Sequence, residues 1–178
     1  MFRDLGYEPD DLDVKVSELL VATADESDAA IDQAVPEVLK LLRDRMQMDV
    51  VFVAEFVEGR RVFRYVDASA ERQLFGPGDS DPLEETWCQR VVDGRMPPRI
   101  QNALLDPASA ALAAKLPFPI GTHLSAPIVL RDGGVYGTLC CFSYSPVDDP
   151  DPNDMKRLRY TAQMTAEKID RRNAAAQH

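Results

Sequence analysis

The sequence predicts a single α+β domain in which an antiparallel sheet packs against helices from both ends of the chain. Two observations carry this prediction: apolar residues recur with a helical period near both ends, and two β-hairpins lie between them. The length of 178 residues and the 45% hydrophobic content are sufficient for one core. No apolar run approaches the ~18 residues that a membrane span requires, which argues against a membrane protein.

Charge and cysteine content exclude several functional classes. The net charge of -10 is concentrated in residues 1–32 and argues against a nucleic-acid surface, because phosphate binding requires clustered lysine and arginine. Two histidines and three cysteines are too few for a zinc site or for the disulfide framework of a secreted protein. The N-terminus also lacks an export signal. We therefore expect a cytoplasmic protein with reduced thiols that contacts neither membranes nor nucleic acids.

The first half of the chain is predicted to form two helices followed by a hairpin. Residues 1–24 form an acidic extension that carries a short helix from Asp11, and a longer amphipathic helix follows, with a kink or restart at Pro36. Residues 49–57 are β-branched and aromatic on both faces, which is typical of a central strand. Residues 61–66 return as its partner strand.

The second half is predicted to contain a middle helix and a second hairpin. The sequence DPLE at 81–84 predicts the start of the middle helix, with Asp81 as its N-cap and Glu84 closing a capping box. The DGG turn at 132–134 lies between two apolar runs. It predicts a tight hairpin, because positive φ costs little at glycine.

A long helix is predicted at the C-terminal end, and its apolar residues follow a heptad spacing. The seam consists of Met155, Leu158, Ala162, Thr165 and Ile169. We therefore expect a homodimer that pairs through the helical ends. Residues 173–178, beyond the seam, are expected to form a disordered tail.

Several short runs, taken in their order along the chain, resemble the GAF domain family. They are TWCQRVVDG at 86–94, NALLDP at 102–107, IGTHLSAPI at 120–128, DG at 132–133 and VYGTLC at 135–140. The first two look like the middle helix of that family and the loop after it, and the others look like its last two strands. The resemblance covers residues 25–172, which we take as the domain.

The resemblance implies a GAF-like, PAS-related α+β fold, with N- and C-terminal helices on one sheet face and a pocket on the other. Residues 67–122 would form the roof of this pocket, in which members of the family usually bind small molecules. The residues expected to bind the ligand are Tyr65, Phe75, Trp87, Cys88, Asn102, His123 and Cys140. The sequence does not identify the cofactor or ligand. The implied function is a non-catalytic sensor of bacterial signalling, which transmits to a downstream protein through its dimer-forming helical ends.

The cysteines leave alternative functions open. Cys88 could attach a bilin chromophore or act as a redox sensor, although bilin-carrying relatives have a histidine directly after the attaching cysteine, where Gln89 stands here. GAF-type methionine sulfoxide reductases also carry three cysteines, so thiol-dependent reduction of free methionine sulfoxide is the enzymatic alternative. Cys140 and Cys141 alternate across a strand, so one thiol is expected in the helix-packed core and the other toward the pocket.

Polar residues near the expected roof suggest how a ligand would be recognised. His123, the single internal histidine, is expected on a strand bordering the pocket, where it could donate a hydrogen bond to the ligand. Arg90, Arg95 and Arg99 lie near the middle helix and its exit and could receive an anion. The signature of cyclic-nucleotide-binding GAF domains is absent, so a cyclic nucleotide is not the expected ligand.

Overall fold

The fold is an antiparallel sheet with helices on both of its faces, as the sequence predicts. A computed structural model of the chain describes residues 11–20, 28–69 and 75–176. The strands are β1 Val50–Val57, β2 Arg60–Ala68, β3 Ser80–Pro82, β4 Arg99–Ile100, β5 His123–Val129 and β6 Val135–Phe142. They form one sheet in the order β3-β2-β1-β6-β5-β4.

Five α-helices occur within the described ranges, together with a 3-10 turn at Leu83–Glu85. The helices are α1 Asp11–Leu20, α2 Asp28–Met46, α3 Trp87–Val92, α4 Ala110–Ala114 and α5 Asp154–Ala176. The first two and the last pack on one face of the sheet, which we call the helix face, and α3 and α4 lie over the other, which we call the roof face. Across these ranges, none of the helices combines the length and apolar character needed to cross a bilayer.

Side-chain alternation along the central strands divides the sheet between its two faces. Val53 of β1 packs among the apolar residues of the helix face, and its neighbour Phe52 packs on the roof face. On β6, Cys141 belongs to the helix face and Cys140 to the roof face. The prediction that these two thiols separate is therefore confirmed.

The hairpin of β5 and β6 closes as predicted, with Gly133 at a φ of 89° in its turn. On β6, Gly137 lies so close to β1 that a Cβ atom there would fall 1.8 Å from the carbonyl oxygen of Ala54. A side chain at this position would push the two central strands apart, so the approach requires glycine.

The predicted dimer seam of α5 is buried against the protein's own sheet. Met155, the most exposed of its five residues, is only 6% exposed, and the apolar members belong to the core of the helix face. A spacing of three and four residues marks one apolar side of a helix and does not distinguish a partner helix from a sheet. The seam therefore explains how α5 packs within the chain. The homodimer stays a prediction, and it would have to form through another surface.

Helices α2 and α5 differ in detail from the expected ones, and α1 agrees with them. Helix α2 continues through Pro36, because burial of apolar residues before and after the proline outweighs one lost hydrogen bond. Helix α5 continues through residues 173–176, where a disordered tail was expected, and the alanines there favour helix. Helix α1 lies within the acidic extension. Residues 1–10, 21–24 and 177–178 of the expected extension and tail lie outside the described residues.

Candidate functional site

Helix α3 forms the centre of the roof, and it begins later than the sequence predicted. Its N-cap is Thr86, whose Oγ1 accepts a hydrogen bond from the backbone N–H of Gln89 at 3.1 Å. The prediction of Asp81 as the N-cap was wrong, because residues 80–82 pair with β2 as strand β3. The carboxylate of Asp81 instead holds Arg61, with oxygens 3.0 Å from Nε and 2.6 Å from Nη2.

A cavity of about 120 Å³ lies between the roof and the sheet. Aromatic rings form much of its wall: Phe52, Phe63, Phe75, Trp87, Phe118 and Phe142. Phe63 and Phe75 stack with ring centroids 4.2 Å apart. Arg61 and His123 are the two basic residues in the wall. The volume is well below the roughly 300–1,000 Å³ of pockets that hold drug-sized ligands.

His123 lines this cavity and also carries a buried polar atom with no partner in the described ranges. The residue is 3% exposed, and its ring centroid lies 5.0 Å from that of Trp87. Its Nδ1 atom is buried and has no hydrogen-bond partner within the part of the chain that the structure describes. Burial, assisted by the positive charge of Arg61, lowers the pKa of the imidazole to about 3. His123 is therefore neutral near pH 7 and offers one donor and one acceptor nitrogen.

Arg61 connects the cavity to a buried pair of thiols, and sequence reasoning missed it. Its guanidinium lies over the ring of Phe63, 4.6 Å from the centroid, and its Nη1 is 3.4 Å from the Sγ of Cys88. The available signal was the strand period: Arg61 and Phe63 are two residues apart on β2 and therefore share a face. The arginines that the sequence suggested, Arg90, Arg95 and Arg99, do not line the cavity.

Cys88 of α3 and Cys140 of β6 meet beneath the roof, with their Sγ atoms 3.4 Å apart. Both are fully buried free thiols. The Oγ of Ser125 lies 3.0 Å from the Cys140 sulfur, and the Oγ1 of Thr138 lies 3.3 Å from it. This cluster contrasts with Cys141, where burial among the residues of the helix face raises the pKa of the thiol.

The two sulfurs of the pair differ in acidity. Burial alone would raise the pKa of Cys88, but the hydrogen bond with Cys140 and the charge of Arg61 outweigh burial and lower it to about 6. Burial and the neighbouring Cys88 raise the pKa of Cys140 well above its usual value. At neutral pH the arrangement therefore favours a thiolate at Cys88 and a thiol at Cys140.

Five of the seven residues expected to bind a ligand lie together. Phe75, Trp87 and His123 line the cavity, and Cys88 and Cys140 pack in the same apolar cluster of the roof face.

The other two expected ligand residues, Tyr65 and Asn102, lie elsewhere. The register of β2 shifts at Arg64, so Tyr65 pairs with Val53 and packs on the helix face, where its hydroxyl donates to Asp32 at 2.6 Å. Asn102 does not line the cavity. Its Oδ1 accepts a hydrogen bond from the backbone N–H of Leu104 at 3.3 Å within the loop that precedes α4.

Comparisons with known proteins agree with this architecture. A GAF domain model matches residues 28–170. No relative among curated proteins matches the sequence. Among solved structures, the GAF domain of an Acinetobacter phosphoenolpyruvate-protein phosphotransferase is similar, with 17% identity, a TM-score of 0.70 and coverage of 92% of this chain and 93% of that chain.

Two photoreceptor structures are also similar. The phycocyanobilin-bound GAF domain of a cyanobacterial phytochrome has 10% identity, a TM-score of 0.73 and coverage of 97% of this chain and 100% of that chain. The chromophore-binding domain of a bacteriophytochrome from R. palustris has 14% identity, a TM-score of 0.71 and coverage of 93% and 60%. At such identities the likeness concerns the fold alone. The family model, in contrast, matches most of the sequence, and on that ground this chain belongs to the GAF domain family.

Proposed function

We propose that this chain is a non-catalytic sensory GAF domain that binds a small, largely aromatic molecule in the cavity beneath Trp87. The observation that carries the proposal is His123, which lines the cavity and whose buried Nδ1 atom has no partner among the described residues. Buried polar atoms are nearly always hydrogen-bonded, and leaving one unsatisfied costs about 1–3 kcal/mol. A ligand with one complementary polar group would remove this cost.

The size and lining of the cavity support a monocyclic ring as the ligand. An apolar cavity of about 150 Å³ is sufficient for benzene, and the cavity here is about 120 Å³. Its aromatic wall favours a flat, apolar body, and neutral His123 favours one hydroxyl or N–H group on it. A bilin does not fit a cavity of this volume, and Gln89 stands where bilin-carrying relatives have histidine. The bilin alternative is therefore disfavoured.

A chain of hydrogen bonds supports transmission from the roof to α5. The Oγ1 of Thr122 donates to the carbonyl oxygen of Gln101 at 2.8 Å and accepts from the N–H of Val147 at 2.9 Å. The side chain of Gln101 donates to the carbonyl oxygen of Val147 at 2.6 Å. Val147 lies in the segment that enters α5. Occupancy of the cavity would shift the population of roof positions, and these contacts would pass the shift to α5 and to a downstream partner.

The ligand proposal is tested with two probes of nearly equal size, phenol and benzene. Trp87 is the single tryptophan of the chain and lines the cavity, so its fluorescence reports binding. We expect saturable binding of phenol that is about 2–12-fold tighter than that of benzene, because only phenol can hydrogen-bond to His123. The His123→Phe variant should lose this preference.

A matched control is Tyr65→Phe, which removes a hydroxyl from the helix face and should leave both affinities unchanged. The absence of saturable phenol binding would contradict the proposal. So would a His123→Phe variant that still prefers phenol over benzene as strongly as the unmodified chain does.

The non-catalytic part of the proposal has a separate test. The purified chain is incubated with free methionine sulfoxide and a thioredoxin-coupled reducing system. We expect no turnover above the rate without protein. Turnover that is lost in the Cys88→Ser variant would replace the sensory proposal by the reductase alternative.

A further inference from the structure

The paired thiols beneath the roof form an arrangement that ligand binding does not require. Cys88 and Cys140 are 52 residues apart in the sequence, on α3 and β6, yet their sulfurs are 3.4 Å apart. A disulfide bond is about 2.05 Å long, so the sulfurs need to approach by only about 1.3 Å. The fold thus brings two free thiols close to bonding distance.

The surroundings of the pair assign different roles to its two sulfurs. Arg61 places Nη1 3.4 Å from Cys88, and the carboxylate of Asp81 holds the guanidinium in that position with two hydrogen bonds. A fixed positive charge stabilises a thiolate, which is the nucleophilic form of cysteine. Cys140 has no such cation within hydrogen-bond distance in the described residues, and its other close contacts are the hydroxyls of Ser125 and Thr138. Cys88 is therefore suited to attack and Cys140 to resolve.

Arg61 links the cavity to the buried Cys88 sulfur, because it lines the one and contacts the other. The volume of about 120 Å³ is several times the roughly 30 Å³ that one water molecule occupies in the liquid. A hydroperoxide with two oxygen atoms fits this space, whereas larger disulfide reagents do not. We therefore expect the buried pair to react with small oxidants in preference to larger ones.

We propose that Cys88 and Cys140 are a peroxide-responsive thiol pair that closes into a disulfide between the roof helix and the sheet. The Cys88 thiolate attacks one oxygen of a hydroperoxide, the O–O bond breaks, and hydroxide or alkoxide leaves as Cys88 becomes a sulfenic acid. The Cys140 thiol then attacks the sulfenic sulfur, and water leaves as the S–S bond forms. The peroxide takes up two electrons, one from each sulfur in the final count.

The disulfide would change the cavity as well as the thiols. It would tie α3 to β6 next to Trp87, whose ring forms part of the cavity wall and contacts His123. The roof would lose freedom to move, so oxidation and ligand binding would act on the same element. The oxidation chemistry itself does not depend on the existence of a ligand.

The proposal is tested on the reduced full chain with hydrogen peroxide, followed by non-reducing peptide mapping. We expect a loss of two hydrogens and one crosslink that joins the peptide of Cys88 to that of Cys140 and Cys141. Because Cys140 and Cys141 lie on the same peptide, single substitutions show which of them bonds to Cys88. The Cys141→Ala variant should still form the crosslink, and the Cys140→Ser variant should not. In Cys140→Ser, the expected product is a sulfenic acid at Cys88, detected as a gain of one oxygen atom in the mass of its peptide.

The pH dependence of crosslinking provides a measurement that needs no variant. We expect the rate in the unmodified chain to rise with pH and to reach its half-maximal value near pH 6, where Cys88 deprotonates. A crosslink between two chains, a crosslink that survives in Cys140→Ser, or a midpoint near that of an ordinary cysteine would overturn the proposal. Absence of the crosslink in folded, peroxide-treated protein would overturn it as well.

Discussion

The two faces of the sheet are built from the same strands but differ in chemistry. The helix face is filled mainly by aliphatic side chains of α1, α2 and α5 together with alternate residues of the strands, and α5 also buries Tyr160 and Lys168 there. The roof face holds aromatic rings, a cavity, a neutral histidine, an arginine and two thiols in contact. Neighbouring residues of β6, Cys140 and Cys141, belong one to each face. Strand alternation thus gives the two faces of one sheet different sets of side chains.

The largest effect should come from the helix face. Leu158 of α5 is fully buried in its core. Leu158→Ala should lower the free energy of unfolding by about 3–5 kcal/mol, because the surrounding side chains cannot fill the space that is left. Urea-induced unfolding followed by circular dichroism measures the change.

A roof-face residue is the counterpart of this substitution. Phe118 is only half-buried and lines the cavity. Phe118→Ala should lower the free energy of unfolding by about 1–2 kcal/mol, because a half-buried side chain contributes less buried apolar area than a fully buried one. Equal losses for the two variants would indicate that the roof is as tightly packed as the helix face.

The second prediction concerns the pH dependence that the roof face confers. The pKa of His123 is lowered to about 3 in the folded chain, against about 6.5 in an unfolded one. As the pH falls from 7 to 5, the unfolded chain therefore binds a proton that the folded chain does not, and stability is lost. Between pH 7 and pH 5, the free energy of unfolding of His123→Gln should fall by about 2 kcal/mol less than that of the unmodified chain. Parallel pH profiles of the two proteins would contradict the buried, neutral state.

The third prediction concerns the charge that acts on Cys88. Arg61→Gln should raise the midpoint of Cys88 ionisation by about one pH unit or more, because it removes an adjacent positive charge. Ultraviolet absorbance of the thiolate follows the titration.

Arg64→Gln is the matched control for this experiment. Arg64 lies on the same strand but forms an exposed ion pair with Glu55 at 2.8 Å. Its substitution should leave the midpoint near pH 6. A shift of equal size in both variants would mean that the overall charge of the chain, rather than the position of Arg61, sets the ionisation of Cys88.

The smallest predicted effect concerns the start of the roof helix. Thr86→Ala removes the N-cap of α3, with an expected loss of roughly 1 kcal/mol. Because α3 is only six residues long, the loss should appear as local opening. Amide exchange in α3 should accelerate while exchange in α5 changes less. An equal acceleration in both helices would argue against an independently mobile roof.

The sequence was sufficient for the two hairpins, the terminal helices and the separation of the two adjacent thiols, because these follow from regular periods. It was insufficient wherever a period breaks or a contact is long-range. The register shift at Arg64 moved Tyr65 to the helix face. The sequence at Asp81 is typical of a helix N-cap, but the residue pairs with β2 and its carboxylate binds Arg61 instead. The contact of Cys88 with Cys140 depends on the packing of α3 against β6, for which no local pattern exists.

Native-state hydrogen exchange of α3 and α5, with and without phenol, tests most directly whether the two faces have separate tasks. We predict that amides of α3 exchange through local openings at least about 2 kcal/mol less costly than global unfolding. Phenol should slow them beyond any change in global stability, and amides of α5 between Leu158 and Ile169 should follow global unfolding alone. Exchange of both helices at one common free energy, with the same response to phenol, would contradict the division between a structural face and a sensory one.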